Sequence, residues 1–253
     1  MGKLTGKRVV VTGGGQGLGL AIVQRLISEG CHLAIHYHTS REGAEELAAE
    51  ATKADLKAQA FQANLTDEQA VKTFVQSTAE FLGGIDVLIN NAGDLVARRK
   101  LEEIDVGFWD KVMAINLTSM MLVTRESIPH LSRNSSSSIV NLASLAGRKG
   151  GHAGSLCYST AKGATLTWTR SLASELGPQG IRVNAVAPGL ILGTRFHQTH
   201  TTKESADKTV AGIPVGRAGD PDDVARPVVF LASEYDGFIT GATLDINGGV
   251  YSA

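Results

Sequence analysis

A chain of 253 residues has room for two small domains or one large α/β domain, and an apolar content of 43% is enough for a substantial core. With 24 Lys and Arg against 25 Asp and Glu, its net charge of −1 offers neither the basic stripe that nucleic acid requires nor a charged tail. No apolar run is long enough to cross a bilayer, no signal-peptide core follows the N-terminus, and Cys31 and Cys157 make no disulfide framework, so a reducing, cytoplasmic setting is expected.

Lys7–Thr12 reads as a short buried strand. It runs into Gly13-Gly14-Gly15-Gln16-Gly17-Leu18-Gly19, after which Ile22, Val23 and Leu26 recur at helical spacing. Strand, glycine-rich turn and helix open a nucleotide-binding βαβ unit. The glycines let the backbone approach a pyrophosphate, and the helix N-terminus supplies unpaired N–H groups. The spacing is Thr12-Gly13-x-x-x-Gly17-x-Gly19 rather than Gly-x-Gly-x-x-Gly, whose third glycine would fall on Ile22. Gly13, Gly15, Gln16, Gly17, Leu18 and Gly19 are the candidate phosphate-binding set.

The second strand, Cys31–Tyr37, ends in Tyr37-His38-Thr39-Ser40-Arg41 without a carboxylate. An acid there would bind a ribose 2′-hydroxyl and repel a 2′-phosphate, whereas His, hydroxyls and Arg suit the phosphate. The cofactor expected is NADP(H), with NAD(H) as the alternative.

Arg41–Ala54 and Asp67–Phe81 read as helices, and Lys57–Gln62 and Ile85–Ile89 as strands. Phe108–Ile128 reads as one long helix with the polar Asn116 among apolar residues. Pro129 and Asn134–Ser138 read as a surface loop. Ser138–Leu142 is the fifth strand, with Ser144 at its carboxyl end. A glycine-rich loop through Gly147 and Gly154 then leads to a helix carrying Tyr158 and Lys162. Ile181–Ala187 and Ala242–Ile246 are the last two strands, and a final helix starts at Asp220. Between them Leu190–Pro214 is a long polar connection of the kind that forms lids. Strands alternate with helices and are apolar on both faces, which implies an α/β, Rossmann-type, doubly wound parallel sheet of seven strands with helices on both faces. No linker or repeat divides it, so one domain over residues 1–253 is expected.

Tyr158 and Lys162 are four residues apart and therefore share a helix face. A phenol resting near a pKa of about 10 is mostly protonated at neutral pH. A neighbouring ammonium favours the phenolate, so this spacing predicts a tyrosine tuned to exchange a proton with a carbonyl or alcohol oxygen.

Taken together, Thr12-Gly13-x-x-x-Gly17-x-Gly19, Asn90-Asn91-Ala92-Gly93, Asn116, Ser144, Tyr158-x-x-x-Lys162 and Pro188-Gly189 resemble the short-chain dehydrogenase/reductase family in order and spacing across almost the whole chain. The resemblance implies that Tyr158 is the general acid of a carbonyl reduction and that Lys162 lowers its pKa and holds the nicotinamide ribose. It implies that Ser144 binds the substrate carbonyl oxygen and that Asn116 holds a water behind Lys162. Asn64 and Leu65 would touch the adenine, Asn90 with Ala92 and Gly93 the region of the adenine ribose, and Pro188, Gly189, Ile191 and Thr194 the nicotinamide. The chain departs from the family where Ser144 and Tyr158 are one residue further apart, where Thr194 comes one residue late, and where Gln16 replaces the Arg of many NADP-binding members. Ile35-His36-Tyr37-His38 resembles NADPH-dependent pteridine reductases and 3-oxoacyl-acyl-carrier-protein reductases. Members of this branch are commonly homotetramers, and a tetramer is expected here.

Basic residues surround the candidate site: Arg148 and Lys149 after Ser144, and Arg195, His197 and His200 on the candidate lid of about residues 189–214. They read either as a solvated rim or as groups that bind an anionic substrate or carrier. A 3-oxoacyl group on acyl carrier protein fits the second reading, and so does a keto-sugar acid. A nucleotide-binding regulator without catalysis ranks lower, because Ser144, Tyr158 and Lys162 are all present.

Overall fold

The computed structural model describes residues 4–131, 137–233 and 237–252. In chain order the elements are β1 (Arg8–Val11), α1 (Gly17–Ser28), β2 (His32–Tyr37), α2 (Arg41–Lys53), β3 (Ala58–Gln62), α3 (Glu68–Leu82), β4 (Val87–Asn90), α4 (Val106–Met113), α5 (Ser119–Ser127), β5 (Ser137–Leu142), α6 (Leu145–Lys149), α7 (Leu156–Leu176), β6 (Ile181–Pro188), α8 (Arg195–His200), α9 (Lys203–Val210), α10 (Pro221–Ala232) and β7 (Thr243–Ile246). The strands form one sheet in the order β3-β2-β1-β4-β5-β6-β7, and each neighbouring pair is parallel.

The alternation of side chains along each strand sorts the core into two layers. Val9, Val11, Ile35, Ile89 and Val140 pack with α1, α2 and α10 on one face. Val10, Ala34, Leu88, Ile139 and Val183 pack with α3, α5 and α7 on the other. Each such side chain withdrawn from water contributes roughly 1.5–3 kcal/mol, so strands apolar on both faces are held from both sides. The helix ends follow local signals. Asp67 accepts from the Ala70 N–H at the start of α3, Gly83 ends it at φ 80°, and Asp220 opens α10 by accepting from the N–H groups of Asp222 and Asp223.

Three expectations about elements change. The stretch read as one helix from Phe108 to Ile128 is α4 and α5 joined by a π-helical turn, Ala114–Thr118. The Asn116 side chain takes the Val112 carbonyl at 2.9 Å, the group that the Asn116 N–H would bind in an α-helix, and the wider turn accommodates it. The polar connection from Leu190 to Pro214 contains α8 and α9, with Thr202 capping α9 through the Ser205 N–H at 3.2 Å. Of the predicted serine loop, Ser137 and Ser138 belong to β5 and are fully buried, the Ser138 hydroxyl bonding the Leu231 carbonyl at 3.0 Å. Ser132–Ser136 lie outside the described residues.

The order reverses between β1 and β4, and the loops that leave the carboxyl ends of β1–β6 gather there. Ligands of doubly wound sheets bind at such a switch point.

Candidate active site

A cleft of about 890 Å³ runs along this edge of the sheet. At one end it is walled by the glycine turn, by His38, Thr39 and Ser40 beyond β2, and by Asn64, Leu65 and Thr66 beyond β3. At the other stand Ser144, Tyr158 and Lys162, with Pro188, Gly189, Ile191 and Thr194 between. Local structure explains the glycines. Gly13 and Gly17 adopt φ 64° and 56°, which favours residues without a Cβ. Gly19 packs directly on the Gly13 carbonyl, and a Cβ there would also lie 2.6 Å from Asn91 Nδ2. Asn91 holds the turn from β4, its amide donating to the carbonyls of Thr12 and Gly13 at 2.9 Å each. The Thr12 hydroxyl accepts from the N–H groups of Asn91 and Ala92.

The catalytic candidates converge because α6 sits tightly on α7. Ser144 caps α6, its Oγ accepting from the Ala146 N–H at 3.1 Å. Gly147 lies so close to the Lys162 backbone that a Cβ would come within 2.6 Å of the Lys162 carbonyl oxygen. Lys162 is buried and donates to the Leu142 carbonyl at 2.7 Å, with Nζ 5.7 Å from the centre of the Tyr158 ring. Gly93 makes room for it, since a Cβ there would meet Asn116 Oδ1 at 2.8 Å and Lys162 Nζ at 3.1 Å. Asn116 clamps the backbone of Asp94 in both directions: Nδ2 donates to the Asp94 carbonyl at 2.7 Å and Oδ1 accepts from its N–H at 3.1 Å.

Electrostatics differ from the expectation that Lys162 depresses the Tyr158 pKa. Loss of water around the phenol pushes it up to about 12, the Asp94 carboxylate adds to the rise, and a hydrogen bond with Ser144 opposes it. Burial brings Lys162 down to about 8. Desolvation penalises the charged form of either group.

Several candidate residues stand elsewhere. The Asn90 side chain turns into the sheet–helix interface, donating to Thr124 at 3.0 Å and Asn141 at 2.9 Å, while the neighbouring Asn91 faces the cleft. Gly15 packs on Ser40 and Ala44, where it lets the turn meet α2, and Tyr37 is a core residue. Arg41 pairs with Glu45 one helical turn on, at 2.8 Å and well exposed. Arg148 pairs with Asp245 of β7 at 3.0 Å, both side chains largely buried, so it ties α6 to the sheet instead of reaching a substrate. Lys149 lines the cleft. The side chains of Arg195 and His197 lie outside the described part of the structure.

The expected lid roofs the substrate end, and its partners are Tyr158, Asp94 and Arg98. Phe196 of α8 lies against Tyr158, ring centres 5.8 Å apart, and against His200 at 5.2 Å. His200 faces Asp94 at 3.4 Å. Arg98 donates to the His200 carbonyl at 3.2 and 3.3 Å and to the Ala153 carbonyl at 3.2 Å, so it bridges the lid and the glycine loop before α7. Arg98 was missed, as was His36, which lines the cofactor end from within β2. Only long-range pairing marks Arg98 and His36, and no local spacing signals it.

Residues 13–251 match the family described as Enoyl-(Acyl carrier protein) reductase. The chain is 38% identical over 255 residues to the 3-oxoacyl-acyl-carrier-protein reductase FabG of Aquifex aeolicus, covering 98% of this chain and 99% of that protein. Among solved structures it is similar to the NADH-dependent reductase A1-R′ responsible for alginate metabolism, with a TM-score of 0.90, 33% identity and 100% of both chains covered. It is also similar to a short-chain dehydrogenase from Burkholderia cenocepacia in complex with NADP, with a TM-score of 0.91, 32% identity and coverage of 99% of this chain and 100% of that one. Fold, cleft and relatives agree: the chain belongs to the short-chain dehydrogenase/reductase family and is an NAD(P)-dependent oxidoreductase acting on C=O and CH–OH groups.

Proposed function

We propose that this enzyme reduces a ketone to a secondary alcohol with NADPH preferred, that Tyr158 exchanges the proton, and that a 3-oxoacyl thioester on acyl carrier protein is the first-choice substrate. The observation that carries the reading is one cleft joining a left-handed glycine turn to Ser144, Tyr158 and Lys162. Whole-length similarity to FabG supports the substrate class.

The residues present fit a nicotinamide dinucleotide. Gly13, Gly17 and Leu18 would hold the pyrophosphate, Asn64 and Leu65 the adenine, and Pro188, Gly189, Ile191 and Thr194 the nicotinamide. No carboxylate follows β2, and His38, Thr39 and Ser40 line the cleft there, which suits a 2′-phosphate. With Arg41 turned to Glu45, that preference rests on these three residues. Bound, the cofactor supplies the hydride.

The chain's own residues manage the proton. Tyr158 rests protonated at neutral pH, the form a reductase needs as donor, and its buried phenol gives up the proton only as charge develops on the carbonyl oxygen. The Ser144 hydroxyl, oriented by the Ala146 N–H, is available to the carbonyl oxygen. As the proton leaves Tyr158, the Lys162 ammonium favours the phenolate. Asn116 fixes the Asp94 backbone behind both. In the reverse direction the same phenolate is the base.

A second reading, reduction of a sugar or keto-uronate, is favoured by the polar wall that Asp94, His152, Thr199 and His200 make at the substrate end. The family's tetramer and a cytoplasmic setting complete the proposal; no helix among the described residues is long and apolar enough to cross a membrane. The test is the rate of NADPH oxidation, read at the nicotinamide absorbance, with an acetoacetyl thioester, and in parallel with NADH and with a keto-uronate. Turnover of the thioester supports the first reading. Turnover of the sugar acid alone replaces it with the second, and equal rates with NADH overturn the NADPH preference.

A further inference from the structure

Gly13, at φ 64°, begins the turn of the cofactor cradle, and it is gripped from two sides. From β4, Asn91 holds its carbonyl. From β2, the ring of His36 holds its N–H: the Gly13 N–H donates to Nδ1 at 3.0 Å. The same ring meets the Ala63 carbonyl through Nε2 at 3.1 Å. Ala63 immediately precedes Asn64, Leu65 and Thr66, which form the opposite wall of the cleft. His36 is 1% exposed, and Phe74 packs against it in a T-shaped contact with ring centres 5.1 Å apart.

The two partners dictate the chemical state of the ring. An N–H faces Nδ1, so Nδ1 must be the acceptor. A carbonyl faces Nε2, so Nε2 must carry the hydrogen. Of the three states of imidazole, only the neutral Nε2–H form makes both bonds. The other tautomer sets two donors against each other at Gly13 and two acceptors at Ala63, and the imidazolium sets two donors against each other at Gly13. Burial, reinforced by the neighbouring His38 and opposed by the Ala63 carbonyl, lowers the pKa to about 4 and keeps the ring neutral.

We propose that His36 is a positioning residue of the cofactor site, which as a neutral Nε2–H imidazole fixes the Gly13 N–H and the Ala63 carbonyl and so sets the glycine turn against the adenine wall before any ligand arrives. The inference rests on the cleft holding the nicotinamide cofactor. Without Nδ1 the half-buried Gly13 N–H loses the partner that fixes its direction, and the turn is free to shift.

Two substitutions separate this role from plain packing, because amide side chains reproduce the ring nitrogens one at a time. The Asn amide puts its oxygen as many bonds from Cβ as Nδ1, and the Gln amide puts its nitrogen as many bonds from Cβ as Nε2. H36N therefore keeps an acceptor for Gly13 and gives up Ala63; H36Q keeps a donor for Ala63 and gives up Gly13. NADPH and NADH affinities are measured by nicotinamide fluorescence without substrate, alongside thermal unfolding. H36N is expected within about threefold of the parent and H36Q about tenfold weaker, the worth of one hydrogen bond at a turn. Equal affinities for H36Q and the parent, or an H36N weaker than H36Q, would overturn the inference. If both variants are too unstable to assay, ¹⁵N shifts of the parent's histidine ring nitrogens decide: an unprotonated Nδ1 with a protonated Nε2 at pH 7 supports it, and a protonated Nδ1 sinks it. A parent that binds neither cofactor overturns the cofactor reading of the cleft and this inference with it, whereas a parent that binds while H36Q binds equally well overturns the inference alone.

Discussion

The two ends of the cleft are held by different means. At the cofactor end the glycine turn is fixed by short bonds among buried or half-buried groups: Asn91 to the Thr12 and Gly13 carbonyls at 2.9 Å, and Gly13 to His36 at 3.0 Å. At the substrate end the roof combines ring contacts of Phe196 with Tyr158 and His200 with longer polar contacts: Arg98 to carbonyls at 3.2–3.3 Å and His200 to Asp94 at 3.4 Å. Exposed polar contacts are worth little, and segments tied by them open at low cost. A closely bonded cradle thus sits beside a more loosely latched roof. Tyr158 stands where the two meet.

The largest effect belongs to that meeting point. Tyr158→Phe removes the proton donor without touching the cradle, so kcat is expected to fall about a thousandfold with cofactor affinity within twofold of the parent. Steady-state rates with fluorescence titration check both, and retained turnover would remove Tyr158 from the mechanism. Next comes Gly19→Ala, which drives a methyl group onto the Gly13 carbonyl and Asn91. Backbone cannot give way as a side-chain tip can, so cofactor affinity should drop about ten- to a hundredfold. A variant that binds normally would show the cradle to be softer than its bonds suggest.

Lys162 sharpens the comparison through pH. Its pKa is lowered from 10.5 to about 8 by burial. The ammonium is therefore lost as pH rises through about 8, and the reduction rate should decline above that point by up to about tenfold per unit. Unfolding does not mimic this. Between pH 8 and 10.5 the unfolded chain binds more protons at this site than the native one, so as far as Lys162 is concerned stability rises with pH over the same window. A rate flat to pH 9.5 would contradict the assigned role. The smallest effect is at the roof. Arg98→Ala releases α8 from the glycine loop and should raise the substrate KM about fivefold, leave cofactor affinity unchanged and speed proteolytic cutting between residues 195 and 210. Loss of cofactor affinity in that variant would mean the two ends are not independent.

Local signals carried most of the architecture into the sequence. Buried strands, the glycine turn, the caps at Asp67 and Asp220 and the i, i+4 spacing of Tyr158 and Lys162 all depend on residues near one another in the chain, so seven strands and their order of appearance could be read without coordinates. The clamp of Asn116 on Asp94 could not, because it joins residues 22 apart in the chain. Arg148 is the same lesson with a larger span. Its position after Ser144 pointed to the substrate, but Asp245, 97 residues away, accepts it instead.

The sequence by itself therefore determined the doubly wound sheet, the family and which side chains, Ser144, Tyr158 and Lys162, are the candidates for the site. Tertiary structure alone decided how those groups are poised. It placed Lys162 on the Leu142 carbonyl and stripped water from Tyr158, which raised the pKa that spacing alone said would fall. It turned Asn90 away and Asn91 in, and it set His36 between the two walls of the cradle. Periodicity fixes which face a residue is on; partners and solvent are fixed only when distant segments meet.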